Sequence, residues 1–152
     1  MNNEYLQNLT EIESDFVREE KGEGSLSPYS VGDDQKVYVG YDVHPQDIEA
    51  LYFEGLQLPR WESIKAENTA QQTEIYQASF QKVTSDYPLI SRVSDTDVKV
   101  AFSLDEVLQL RKECERVLNN TDDAKAVRAS QKFYIACNKA ADQQLGLLLI
   151  PN

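Results

Sequence analysis

The stretch SLDEVLQLRKECERVLNNTDDAKAVRASQKFYIACNKAAD, Ser103 to Asp142, decides the fold. It reads as two helices joined by a tight turn. Ser103 is an N-cap and Glu106 follows at the third helical position, so the pair makes a capping box. Val107, Leu110, Cys114, Val117 and Leu118 then recur at helical spacing, with Arg111, Lys112, Glu115 and Arg116 on or near the opposite face. Asn119-Asn120 is the expected end of this helix, because Asn tolerates the left-handed conformation of a C-cap. Thr121 is then the expected cap of the second helix. Asp122 and Asp123 would fall in its first turn, where negative charge suits the helix dipole. Val127, Ser130, Tyr134, Cys137 and Ala141 form the second stripe, with Ala126, Phe133 and Ala140 beside it. The small residues allow close approach, and so short a turn makes the helices antiparallel neighbours.

Strand patterns flank this hairpin. Before it, Val98, Val100 and Phe102 alternate with Asp97, Lys99 and Ala101, the period of a half-buried strand. After it, Leu145 to Ile150 is almost wholly apolar, which suits a central strand buried on both faces and ended by Pro151. The C-terminal unit is therefore strand, helix, helix, strand.

Working back toward the N-terminus, Glu62 to Thr84 is helical but uneven, either one exposed helix or two pieces with a break near Asn68, with a stripe at Ile75, Tyr76, Phe80 and Val83. Tyr87-Pro88 ends it, since the residue before a proline is pushed out of the helical region. Leu89 to Val93 reads as a short strand. Pro45 suits the first turn of a helix, whose apolar side is Ile48, Leu51 and Tyr52 until Gly55; a bend containing Pro59 follows. Gln35 to Tyr41 is a strand candidate, with Val37, Val39 and Tyr41 on one face and Tyr38 on the other. Residues 21 to 34 carry three Gly, three Ser and a Pro, and read as a flexible loop. Residues 4 to 20 carry Tyr5, Leu9, Ile12, Phe16 and Val17 at helical spacing, a thin amphipathic helix that docks on the domain edge or on a partner. The expected architecture is α+β. It is a single mostly helical domain over residues 1–152, with an N-terminal helix and loop (1–34), a globular body (35–152) and a small sheet of three or four strands.

The 152 residues allow a sizeable core, burying roughly two-thirds of the unfolded surface. No apolar run approaches the roughly 20 residues of a membrane span. Met1-Asn2-Asn3-Glu4-Tyr5 has neither a basic region nor an apolar core, so no secretory signal is expected and the expected location is cytoplasmic. Cys114 and Cys137 both fall on the hairpin stripes and read as reduced core residues. The alternative is a disulfide clamping the hairpin, which needs an oxidising compartment.

Charge is unevenly spread. Through Pro59 there are 13 acidic and 3 basic residues; from Arg60 onward there are 13 acidic and 12 basic, for a chain total of −11. Such a balance argues against direct contact with nucleic-acid phosphates or anionic membranes and favours a basic protein partner.

Several patterns are candidate sites. Asp42, His44 and Asp47 could form a polar site with one imidazole and two carboxylates, around a cleft at His44. The simpler account is that helix starts attract Asp without any chemistry. Asp95 to Glu106 matches a calcium loop at its first, third and twelfth positions, but Lys99 and Val100 stand where an oxygen ligand and the sharp-turn Gly belong. Gly22-Glu23-Gly24 lacks the third Gly, the Lys and the preceding strand of a phosphate loop. Neither a metal nor a cofactor is expected, and no residue pattern carries a family resemblance.

The remaining feature mixes aromatics with acids. Tyr29, Tyr38, Tyr41, Tyr52, Phe53 and Trp61 are interleaved with Asp33, Asp34, Asp42, Asp47, Glu49 and Glu54. Tyr and Trp are enriched at binding hot spots, and carboxylates around them speed encounter with a basic surface. The simpler account puts the rings in the core and the acids in water. From this set, Tyr38, Tyr41, Asp42, Asp47, Glu49, Tyr52, Glu54 and Trp61 are the candidate partner-binding residues. The first functional expectation is a non-enzymatic acidic module that caps or regulates a basic protein, in the manner of an inhibitor or immunity protein. A small hydrolase-like enzyme with a cleft near His44 is the second. A self-associating structural protein, a homodimer through the N-terminal helix, is the third.

Overall fold

A computed structural model describes residues 4–19, 21–30, 36–94 and 96–152. Among these, helix α1 (Leu9–Val17) follows a single 3-10 turn. Strands β1 (Gly24–Tyr29) and β2 (Tyr41–Val43) come next, then α2 (Pro45–Ala50), which widens into a π turn over Leu51–Gly55. Helix α3 (Thr69–Asp86) precedes β3 (Val100–Phe102), the helical hairpin α4 (Leu104–Asn120) and α5 (Ala124–Asp142), and β4 (Gly146–Pro151). The sheet is antiparallel in the order β2-β1-β4-β3. The chain is an α+β protein, and β4 is a central strand, as its unbroken apolar run requires.

The strand–helix–helix–strand unit forms with β3 and β4 as direct neighbours, Val100 opposite Leu149 and Phe102 opposite Leu147. Its capping box is made: the Ser103 amide donates to Glu106 Oε1 at 3.0 Å and the Glu106 amide to Ser103 Oγ at 3.3 Å. The turn between the helices differs from the expectation. Helix α4 runs through Asn120 without a left-handed residue, and Thr121 is extended. Asp123, not Thr121, caps α5, accepting from the amides of Lys125 and Ala126. The Thr121 hydroxyl instead accepts from the Asp123 amide and donates to the Glu54 carbonyl, tying the turn to the end of the π turn. A carboxylate two residues further on outcompetes a hydroxyl that has a tertiary partner.

Two strand assignments also move. Residues 24–29, within the expected loop, form β1 in the middle of the sheet, with Leu26 opposite both Tyr41 and Leu149. Pro28 is tolerated there because its carbonyl accepts from the Tyr38 amide, on the side away from β4. A residue's N–H and C=O point the same way in a strand, so the missing donor costs no bond to β4. Of the expected strand 35–41, residue 35 lies outside the described residues, and the described part shortens to a bridge between Val37 and Tyr29, with β2 beginning only at Tyr41. Gly40 lets the chain cross there: a Cβ would lie 1.9 Å from the Leu26 carbonyl oxygen. Leu89 to Val93 is not a strand but holds a 3-10 turn, Ile90–Arg92.

One sheet face carries Tyr41, Val43, Leu26, Leu147, Leu149 and Phe102 into the core, where α5 crosses it. Eleven of the 19 residues of α5 are buried, on nearly all sides. Cys114 and Cys137 are buried free thiols, and burial pushes both well up from the ordinary thiol range. Among the described residues no helix is long and apolar enough to cross a membrane.

Candidate functional site

Two polar or aromatic constellations stand out, and the candidate residues are divided between them. The first surrounds Lys132, which is fully buried on α5. Its Nζ donates to Glu19 Oε2 at 2.7 Å and to Asp47 Oδ2 at 2.8 Å. Arg128, one turn earlier on α5, donates to Glu19 Oε1 at 2.6 Å. Two anions therefore meet two cations. Burial alone would raise the Glu19 carboxyl, but the hydrogen bonds from Lys132 and Arg128 outweigh it and hold Glu19 below the ordinary carboxylate range. The Phe16 ring lies beside both cations, 4.8 Å from the Arg128 guanidinium carbon and 5.3 Å from Lys132 Nζ. The cluster joins three elements: the end of α1, the start of α2 and the middle of α5.

His44 and Asp47 belong to this cluster. Asp47 also accepts from the His44 amide at 3.0 Å, closing the first turn of α2. His44 Nε2 lies 3.8 Å from Glu19 Oε2, longer than a hydrogen bond. Asp42 is committed elsewhere, accepting from Asn152 Nδ2 at 3.1 Å. Tyr41 is buried in β2, where its hydroxyl donates to Glu13 at 2.7 Å; burial and then that carboxylate raise its pKa. Tyr38 is exposed on the segment beside β1, and Asp33 and Asp34 lie outside the described residues. Asp95, the first position weighed for a calcium loop, lies outside them too. Among the described residues no group of three His, Cys, Asp or Glu side chains is placed to hold a metal.

The second constellation is a groove of about 410 Å³ between α2 with its π turn and helix α3. Its floor is Ile48, Tyr52 and Leu58, all buried core residues, and its far wall is Tyr76 and Phe80 of α3. The π turn sets the floor: the Leu56 amide reaches back five residues to the Leu51 carbonyl. That extra residue in the turn places Tyr52 and Phe53 side by side on the groove. The Tyr52 hydroxyl donates to the Ile90 carbonyl at 3.1 Å, and burial pushes its pKa up, so it stays a phenol. Trp61 stands at the rim with its ring edge-on to Tyr76, centroids 5.9 Å apart, and Tyr76 stacks on Phe80.

Acids border the same groove. Glu49 lines it and Glu54 lies close by; both bind Arg60, at 3.0 and 3.5 Å. Of the eight candidate partner-binding residues, Glu49, Tyr52, Glu54 and Trp61 thus come together here, while Tyr38, Tyr41, Asp42 and Asp47 do not. The far wall is the unusual part. Helix α3 buries only Val83 of its 18 residues, and Ile75 and Phe80 are 38% and 41% exposed. Of the stripe at Ile75, Tyr76, Phe80 and Val83, Val83 is buried and Tyr76 packs half-buried against the core, while Ile75 and Phe80 stay open to water.

Sequence reasoning missed Lys132, Arg128 and Glu19 as a set, and missed Glu113. Glu113 on α4 is buried and accepts from the amides of Leu89 and Ile90 at 3.0–3.2 Å, closing the turn at Ile90. The sequence carried no signal for Lys132: at helical spacing it shares a face with Lys125, Arg128 and Lys139, the pattern of a solvated basic stripe. No family model, no curated protein and no solved structure matches the chain.

Proposed function

We propose that this chain is a non-enzymatic acidic module that binds and regulates a basic protein partner, through the groove between α2 and α3. The observation that carries the proposal is α3 itself. It is a helix of 18 residues whose apolar side is only partly consumed by the fold, with Phe80 left exposed. In a folded monomer an amphipathic helix is held by burying its apolar stripe. Here Phe80 remains exposed on the wall of a concave apolar floor, with Trp61 exposed beside Tyr76, the arrangement of a surface that completes its burial against another molecule.

The charge chooses the class of partner. From Pro45 to Phe80 the chain carries Asp47, Glu49, Glu54, Glu62, Glu67 and Glu74 against Arg60 and Lys65. Only Asp47 of these six acids is drawn into the Lys132 cluster. A basic surface is steered toward such a rim and an acidic one repelled. An inhibitor or immunity-type role fits, since a small acidic protein covering a basic active surface needs only affinity and shape.

The test is retention of host proteins on the immobilised chain under washes of rising salt, followed by association kinetics of the purified pair. The proposal expects a basic protein whose association rate falls as salt rises and slows again in the variant Glu49→Lys/Glu54→Lys. Retention of nothing, or of proteins whose association ignores both salt and that variant, would refute it.

A further inference from the structure

The groove already holds one cation, and its geometry says what else the place would take. The Arg60 guanidinium lies over the Phe53 ring, its carbon 4.3 Å from the centroid. Its Nη1 reaches Glu49 Oε1 at 3.0 Å and its Nη2 reaches Glu54 Oε1 at 3.5 Å. A planar fork shared by two carboxylates and resting on an aromatic face is how proteins recognise guanidinium rather than ammonium. Glu49 and Phe53 both line the groove, so this cradle is the groove's acidic end.

We infer that the Glu49–Glu54–Phe53 cradle is the docking site for an arginine of the basic partner, and that Arg60 occupies it in cis until that arginine replaces it. The inference rests on the basic-partner reading above and names the contact through which it works. An apolar residue next to the partner's arginine enters the groove over Ile48, Tyr52 and Phe80.

The exchange is easy because the cis contact is shallow. The side chains of Arg60, Glu49 and Glu54 are 39%, 54% and 43% exposed. Ion pairs this wet are screened and hold a fold together weakly. Replacing one guanidinium by another preserves the hydrogen bonds and the stacking, while the partner's apolar side chain adds burial that Arg60 lacks. Once Arg60 leaves, two carboxylates face the newcomer unopposed. A second copy of this chain is the wrong occupant: each copy brings a net charge of −11.

Trp61 is the single tryptophan and packs on Tyr76 at the groove rim, so its fluorescence reports occupancy. The probes are two alanine-based peptides, each with one leucine flanked by basic residues, arginine in one and lysine in the other. The wild-type chain should give a saturable Trp61 response and prefer the arginine peptide. Arg60→Ala should bind that peptide about three- to tenfold more tightly, because the competing cis state is gone. Glu49→Gln/Glu54→Gln should erase the preference for arginine over lysine.

An Arg60→Ala variant that binds no better, or worse, overturns the inference. If salt-sensitive binding of a basic protein persists in that variant unchanged, the cradle assignment falls while the basic-partner reading stands. If neither peptide nor any basic protein binds the wild type, the reading itself falls. A free chain that sediments as a dimer and becomes monomeric in Phe80→Ser would give the groove to a second copy and overturn the inference as well.

Discussion

Helices α5 and α3 are nearly the same length, 19 and 18 residues, and are used in opposite ways. Helix α5 buries eleven residues, including a lysine, and touches the sheet, α4, α1 and the π turn. Helix α3 buries one residue, Val83, and stacks its own Tyr76 and Phe80 rings on each other. Burial of apolar area is the dominant favourable term in folding, so stability should be concentrated in α5. What α3 contributes must lie elsewhere. A helix with an aromatic residue that the fold leaves exposed, next to a concave apolar floor, is what the proposed binding reading sets out to explain. The contrast separates residues that hold the molecule from residues that give it a surface.

The largest effect should come from the core side of that contrast. Phe133 on α5 is fully buried, and Phe133→Ala should lower stability by about 4 kcal/mol, read from a urea transition. A loss under about 1 kcal/mol would deny α5 its central place. Lys132→Ala comes next. It strands Glu19 and Asp47 without their buried cation, and should lower stability by about 3 kcal/mol in the same assay. Glu113→Ala leaves the amides of Leu89 and Ile90 without an acceptor in a buried site, a loss of about 2 kcal/mol.

A smaller effect is visible in acid. The Glu19 carboxyl is held below its ordinary range by Lys132 and Arg128. The unfolded chain therefore binds this proton at a higher pH than the folded one does. The contribution of Glu19 is present above the ordinary carboxylate range and is lost as pH falls through the lowered value. Glu19→Gln should flatten the acid limb of a stability–pH profile while lowering the neutral plateau. An acid limb as steep as in the wild type would show that Glu19 is not paired as described.

Much of the α5 side was legible in the sequence, and little of the α3 side. The Ser103–Glu106 box, the stripe from Val107 to Leu118 and the apolar run into β4 are local patterns with one structural solution each. Strand β1 was hidden because Gly24-Ser25-Leu26-Ser27-Pro28-Tyr29 has a single aliphatic residue. It becomes a strand through the ladders that β2 and β4 offer on either side, a tertiary effect. The cap passed from Thr121 to Asp123 for a similar reason: Thr121 found Glu54, 67 residues earlier in the chain. At the candidate site, sequence proximity gathered Tyr41, Asp42 and Asp47 with Glu49 and Tyr52. The fold separates them because alternation along β2 sends Tyr41 and Asp42 to opposite faces, while Lys132 draws Asp47 inward. Periodicity did find Ile75, Tyr76 and Phe80, but periodicity records that a face is apolar and not which molecule covers it.

The smallest stability effect is also the most telling, because it uses the same substitution as the largest. Phe80→Ala should lower the stability read from the urea transition by no more than about 0.5 kcal/mol, since Phe80 is 41% exposed. On the same preparation, titration with the arginine-bearing peptide, read by Trp61 fluorescence, should show affinity lowered at least about tenfold. Stability kept and binding lost is the result that marks α3 as a binding surface. Stability lost with binding unchanged would make Phe80 a core residue like Phe133 and contradict the account.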